Sequence, residues 1–146
     1  MMEALRVMPP AGSTQFQDVI ADVKVGKVQF KKGDSVAITL EALGLDPTQW
    51  QRPLEFLPER HDSTSPLFLT PDGKKRHPNA LIPFMGGPRV CFGKTLAENT
   101  MKISISYITQ VFEAEFEDPK FMNTPLLSTI DMSHKEKCWL KLKLRK

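Results

Sequence analysis

The residues best suited to chemistry lie in the stretch Phe84-Met85-Gly86-Gly87-Pro88-Arg89-Val90-Cys91-Phe92-Gly93, where one cysteine stands among glycines, a proline and an arginine ahead of a helix-forming run. A thiolate is a strong, soft ligand for iron and pushes electron density onto the metal it holds. The glycines permit positive φ and close backbone approach, as a loop pressed against a flat group requires. Arg89 offers a planar fork of donors that suits a carboxylate.

The spacing Phe84-x-x-Gly87-x-Arg89-x-Cys91-x-Gly93 resembles, at every fixed position, the haem-binding loop of the cytochromes P-450, the haem-thiolate monooxygenases. With average residue usage, a chance match in one chain of this length has a probability on the order of one in ten thousand or less. The resemblance implies that Cys91 is the proximal iron ligand and that the cofactor is haem b, iron-protoporphyrin IX. It also implies that Phe84, Gly87 and Gly93 shape the loop against the macrocycle and that Arg89 meets a propionate.

Such a loop needs a folded frame, and the composition provides for one. The chain has 146 residues, of which 40% are hydrophobic and 25% charged, as in an ordinary globular protein with one core. The net charge of +3 is small, and no interleaving of basic and aromatic residues suggests a nucleic-acid groove. The two cysteines, Cys91 and Cys138, are far apart, so neither a disulfide framework nor a zinc site is indicated. His61, His77 and His134 are scattered and read as surface or loop residues. No apolar run reaches the roughly 18 residues of a membrane span, and the start lacks a signal-peptide layout, so the chain as written reads as soluble.

Taken in order, Met1 to Met8 reads as the tail of a helix that Pro9-Pro10 must end. Glu3 and Arg6 share one face of it, as a solvated pair at the least. Val19 to Phe30 alternates around a Gly26-Lys27 turn and predicts a hairpin, with Val36 to Leu40 as a third strand of the same small antiparallel sheet. From Asp46 to Pro83 frequent prolines exclude long elements, yet Trp50, Phe56, Leu57, Phe68 and Leu69 supply anchors for an ordered, wrapped loop. Lys74-Lys75-Arg76 in this region reads as a solvated basic turn.

Two of these segments carry the resemblance further. Glu3-x-x-Arg6 is similar to a helix motif that precedes the cysteine loop in the family, and Trp50-x-x-Pro53-x-x-Phe56-x-Pro58-Glu59-Arg60 is similar to its meander. The resemblance implies that Arg60 joins Glu3 and Arg6 in a structural triad, which as a buried set would need every donor satisfied. Two departures stand out: Ala42-Leu43-Gly44-Leu45-Asp46-Pro47 lacks the histidine and basic residue common before Asp-Pro, and Ala11 to Gln17 holds no arginine. Arg89 is then the one clear propionate partner.

After Gly93, apolar residues at Leu96, Ala97, Met101, Ile105, Ile108 and Phe112 predict a helix of about five turns, with Met101, Ile105 and Phe112 in the core. Its N-terminus would favour a thiolate at Cys91, and N–H groups bonding the sulfur would moderate its electron push. Asp118-Pro119 and Asn123-Thr124-Pro125 mark turns, and Leu126 to Met132 reads as a short hairpin arm. The last residues alternate as a strand, with Cys138, Leu140, Leu142 and Leu144 inward and the basic residues outward.

The fold class expected is therefore an α+β portion of the mainly-α P-450 fold, with short helices, a small antiparallel sheet, a long ordered meander and one long helix after the cysteine loop. The resemblance implies that residues 1–146 correspond to the C-terminal, haem-proximal portion of such a domain, with about two-thirds of it absent on the N-terminal side. The resemblance implies part of a monooxygenase that inserts one oxygen atom from O2 into a small organic substrate. Electrons would come from an NADPH-dependent flavoprotein reductase or a ferredoxin, which Lys94, Lys102 and the 74–76 turn could attract. This chain alone is expected to be inactive. The alternative is a non-catalytic haem-binding or interaction module, or a truncated product. Localisation stays open between the endoplasmic-reticulum membrane, through an anchor upstream, and the cytoplasm.

Overall fold

The computed structural model describes residues 1–118 and 139–145. Its first element, α1 (Met2–Val7), is ended by the proline pair as predicted. Six residues are too few for a helix to persist alone. Packing therefore holds it, with Glu3, Leu5, Arg6 and Val7 buried.

The segment that follows folds back on itself about the Gly26-Lys27 turn. Strands β2 (Val23–Val25) and β3 (Val28–Phe30) pair Val25 with Val28 and Val23 with Phe30, and Gly26 takes the positive φ that a two-residue hairpin turn favours. Further from the turn, β1 (Gln17–Asp18) pairs with β4 (Ser35–Val36), and an isolated bridge joins Ser13 to Thr39. The third strand thus does not join β2 and β3 in one sheet. It pairs with the upstream arm instead, where the Ile38 N–H donates to Thr14 Oγ1 and the Thr14 N–H to the Ile38 carbonyl.

That strand also ends early, at Val36, and Leu40 opens a second helix, α2 (Leu40–Leu45). Its first N–H donates to the Gly12 carbonyl at 2.8 Å. From Asp46 to Pro83 the chain is ordered by short devices. Two 3-10 turns, Pro58–His61 and Pro66–Phe68, begin with proline, whose missing donor costs nothing at a first helical position. Trp50 is buried and donates its indole N–H to the Leu43 carbonyl at 3.0 Å. The compact core is small: Leu5, Val7, Leu40, Trp50 and Ala80, with the polar Glu3, Arg6, Arg60 and Thr70 buried among them.

The long helix α3 spans Lys94–Val111, close to the expected length. None of its residues is buried, however, and Ile103, Ile105, Tyr107 and Ile108 are exposed. The core placement expected for Met101, Ile105 and Phe112 is corrected accordingly: Met101 is half-buried, Ile105 is exposed, and Phe112 opens a strand. The period-two run Phe112-Glu113-Ala114-Glu115-Phe116 forms β5, paired antiparallel with β6 (Leu140–Leu144). Register sets Phe112, Ala114 and Phe116 beside Leu144, Leu142 and Leu140, and Glu113 and Glu115 beside Lys143 and Lys141.

All five residues of β6 are exposed, which corrects the inward placement of its leucines. No described residue covers that apolar face. The turns near Pro119 and Asn123–Pro125, the arm Leu126–Met132 and the packing of Cys138 lie outside the described residues. No helix among the described residues is long and apolar enough to cross a membrane.

Candidate functional site

The cysteine loop is built by its own backbone. Pro83 and Phe84 are the central residues of a turn in which the Met85 N–H donates to the Ile82 carbonyl at 2.9 Å. Met85 and Gly87 both take positive φ, 59° and 64°, and Gly87–Arg89 make a single 3-10 turn. The chain then returns so that the Cys91 N–H donates to the Phe84 carbonyl at 2.8 Å, which closes the loop on itself.

Cys91 is half-buried and carries a free thiol. Gly93 caps α3, and a Cβ added there would lie 3.8 Å from Cys91 Sγ. Arg89 is exposed and has no hydrogen-bond or ion-pair partner among the described residues. One expectation is corrected: among the described residues no N–H donates to Cys91 Sγ. The first N–H of α3, that of Lys94, goes instead to the Cys91 carbonyl at 3.2 Å.

Glu3, Arg6 and Arg60 are joined through one carboxylate. Glu3 Oε1 accepts from Arg6 Nη2 at 2.8 Å, Arg60 Nε at 3.1 Å and the Leu57 N–H at 2.9 Å. Its Oε2 accepts from Arg6 Nε at 3.0 Å and lies 3.0 Å from His61 Nε2. A carboxylate only accepts, so His61 carries its proton on Nε2. Both guanidinium groups are wholly inaccessible and Glu3 is 2% exposed.

One negative charge cannot neutralise two guanidinium groups, and peptide carbonyls take up the remaining donors. Arg6 reaches the carbonyls of Gly44, Pro53 and Glu55 at 2.7, 2.7 and 2.9 Å. Arg60 reaches those of Gln51, Arg52 and Glu55. No buried side-chain nitrogen or oxygen among the described residues is left without a partner. Burial by itself would raise the Glu3 carboxyl, but hydrogen bonds from His61, Arg6 and the Leu57 N–H, with the Arg6 charge, hold its pKa at about 2. Burial and the Arg6 charge lower the Arg60 guanidinium, against the pull of Glu3, yet an arginine remains charged.

A family model for cytochrome P450 matches residues 1–137 of the chain, α1 and the cysteine loop included. The chain belongs to the cytochrome P450 family. Among curated P450 proteins it is 32% identical over 117 residues to the steroid 17-alpha-hydroxylase/17,20 lyase of Felis catus, covering 80% of this chain and 22% of that protein. It is 36% identical over 111 residues to cytochrome P450 98A2 of Glycine max, covering 75% of this chain and 20% of that one. The chain thus spans about a fifth of the length of these relatives.

Among solved P450 structures, the retinoic acid-bound cyanobacterial CYP120A1 superposes with a TM-score of 0.70 at 30% identity, covering 81% of this chain and 26% of that one. The heme domain of a cytochrome P450DA mutant shares the fold over 99% of this chain, with a TM-score of 0.73.

Two side chains packed about Trp50 escaped the sequence reading. His61 is not a surface or loop residue without a role; it is 24% exposed, bonded to Glu3 and tilted against Trp50 at 6.0 Å between ring centroids. Arg76 is not part of a solvated turn. Lys74 is, pairing with Asp72 at 2.6 Å on the surface. The Arg76 guanidinium turns inward onto Trp50, and its adjacency to the PERH turn arises only from the path of the loop between them. For His61 a signal was available, since it directly follows Arg60.

Proposed function

We propose that residues 1–146 are the C-terminal, haem-proximal portion of a cytochrome P450 monooxygenase, with Cys91 as the thiolate ligand of the haem iron. One observation carries the reading: Cys91 is a free, half-buried thiol in a backbone-closed loop, in a chain that matches the family over residues 1–137. The donor set fits the group. Among the described residues no cluster of three or more His, Cys, Asp or Glu side chains could hold a metal ion. A single thiolate suits iron that brings four further ligands in a macrocycle. Arg89, exposed and unpaired among the described residues, suits a propionate.

Haem, when bound, supplies the activation of dioxygen by which one oxygen atom enters a small organic substrate. The chain's own residues hold and orient. Cys91 fixes the iron, Phe84, Gly87 and Gly93 shape the loop around it, and the Glu3-Arg6-Arg60 lock keeps the meander against α1, a supporting role rather than a chemical one. Electrons come from an NADPH-dependent flavoprotein reductase or a ferredoxin. The exposed apolar residues of α3 and β6 support the view that further protein completes the domain, so this chain by itself does not turn over substrate.

Adding haem to the purified chain, reducing it and supplying carbon monoxide tests the assignment. A Soret band shifted strongly to the red is expected for the wild type and its loss in Cys91→Ser. A folded wild-type chain without that band would favour an interaction module. NADPH-dependent turnover by the chain alone would refute its dependence on further protein.

A further inference from the structure

Arg76 makes a set of contacts that none of the assigned roles uses. Its Nη1 donates to the Leu67 carbonyl at 2.9 Å and its Nη2 to the Arg60 carbonyl at 2.6 Å. Its Cζ lies 4.3 Å from the centroid of the Trp50 ring and 5.3 Å from that of Phe68. The same Trp50 ring has the Arg6 Cζ at 5.3 Å. Arg60 is thus held on both sides: its side chain by Glu3 and its main chain by Arg76.

From Arg76 the chain runs on through residues 77–90 to the cysteine. The His77 N–H donates to Gln49 Oε1 at 2.9 Å, and a turn closed by the Ala80 N–H on the His77 carbonyl buries Ala80. The Ile82–Met85 turn follows, and within it lies Phe84, whose carbonyl receives the Cys91 N–H. Arg76 therefore stands where the meander passes into the segment that carries the loop.

We propose that Arg76 is a positioning residue for Cys91, linking the Glu3-Arg6-Arg60 lock to the cysteine loop through the Arg60 carbonyl and the Trp50 ring. Its consequence for iron rests on the reading of Cys91 as the ligand; the link itself does not. The chemistry selects arginine over lysine. Two carbonyls taken by one planar fork, together with stacking on aromatic rings, cannot be reproduced by an ammonium. A basic residue that only solvates the surface or attracts an acidic partner would work equally well as lysine.

The test is Arg76→Lys in the 146-residue chain, read in two ways. Without haem, amide hydrogen exchange at Cys91 is expected to be about tenfold faster in the variant, while exchange at Met8, at the end of α1, stays within about twofold. Unchanged exchange at Cys91 overturns the proposal. Should α1 also lose protection, Phe68→Leu decides, since it removes only the more distant ring; about threefold faster exchange at Cys91 is expected, and none overturns the link. With haem, reduction and carbon monoxide, Arg76→Lys is expected to lower the red-shifted fraction about threefold or more, and equal spectra contradict a role in placing the thiolate. If the wild type gives no such band, the haem assignment fails and hydrogen exchange still decides the link.

Discussion

Glu3 Oε1 accepts the Arg60 Nε–H at 3.1 Å across 57 positions of sequence, with both side chains almost wholly buried. Among the described residues Glu3 supplies the cluster's one carboxylate, and removing it would leave two guanidinium groups buried with carbonyl dipoles alone. Glu3→Gln is therefore expected to destabilise the chain by about 3 to 5 kcal/mol, the usual cost of breaking a buried pair from one side. Urea unfolding followed by the Trp50 environment measures it, and a loss below about 1 kcal/mol would show the lock to be dispensable.

The same carboxylate makes stability depend on acid. Glu3 titrates at about 2 in the folded chain against an ordinary 4.5, so its contribution is complete above about pH 4.5 and lost as pH falls towards 2. The gap corresponds to about 3 kcal/mol. Wild-type stability should fall more steeply than that of Glu3→Gln across this window. Parallel pH profiles would contradict the assignment.

Gly44 in α2 sits where a Cβ would fall 2.4 Å from the Arg6 carbonyl oxygen. In an open helix Gly→Ala gains up to about 1 kcal/mol. Here Gly44→Ala must push α2 off α1, and the Arg6 bond to the Gly44 carbonyl goes with it. A net loss of about 1 to 3 kcal/mol is expected, seen as a lower urea midpoint at unchanged slope.

Gly87 has a different reason to be glycine. A Cβ there would meet nothing within 4 Å, but φ is 64°. Gly87→Ala then costs about 1 to 2 kcal/mol of backbone energy within the cysteine loop itself. Haem retention after dilution, measured at the Soret band, should fall about tenfold or less while the α1–meander lock keeps its stability. Equal retention would mean that the loop changes conformation on loading.

The local devices of this P450 were legible because each depends on residues near one another. Pro9-Pro10 ends α1, Gly26-Lys27 turns the hairpin, and the three- and four-residue steps after Gly93 give α3. β5 could have been read from the alternation Phe112-Glu113-Ala114-Glu115-Phe116, which the preceding helical period obscured. α2 was harder, since Leu40-Glu41-Ala42-Leu43 follows a β-forming run and its entry depends on the Gly12 carbonyl, distant in sequence.

By itself, the sequence determined the chemistry on offer: one thiol in a glycine loop, an arginine beside it, and Glu3, Arg6 and Arg60 at a family's spacing. Residue types and short spacings are enough for that, because ligand character and turn geometry are local. Only the tertiary structure decided which further groups complete the lock. His61 and Arg76 enter it through contacts between residues not adjacent in sequence, His61 reaching Glu3 and Arg76 reaching the Arg60 carbonyl, and both lie against Trp50. A buried cluster with more cations than carboxylates must find carbonyl and ring partners wherever the loop happens to bring them, and that path is set by packing rather than by any pattern along the chain.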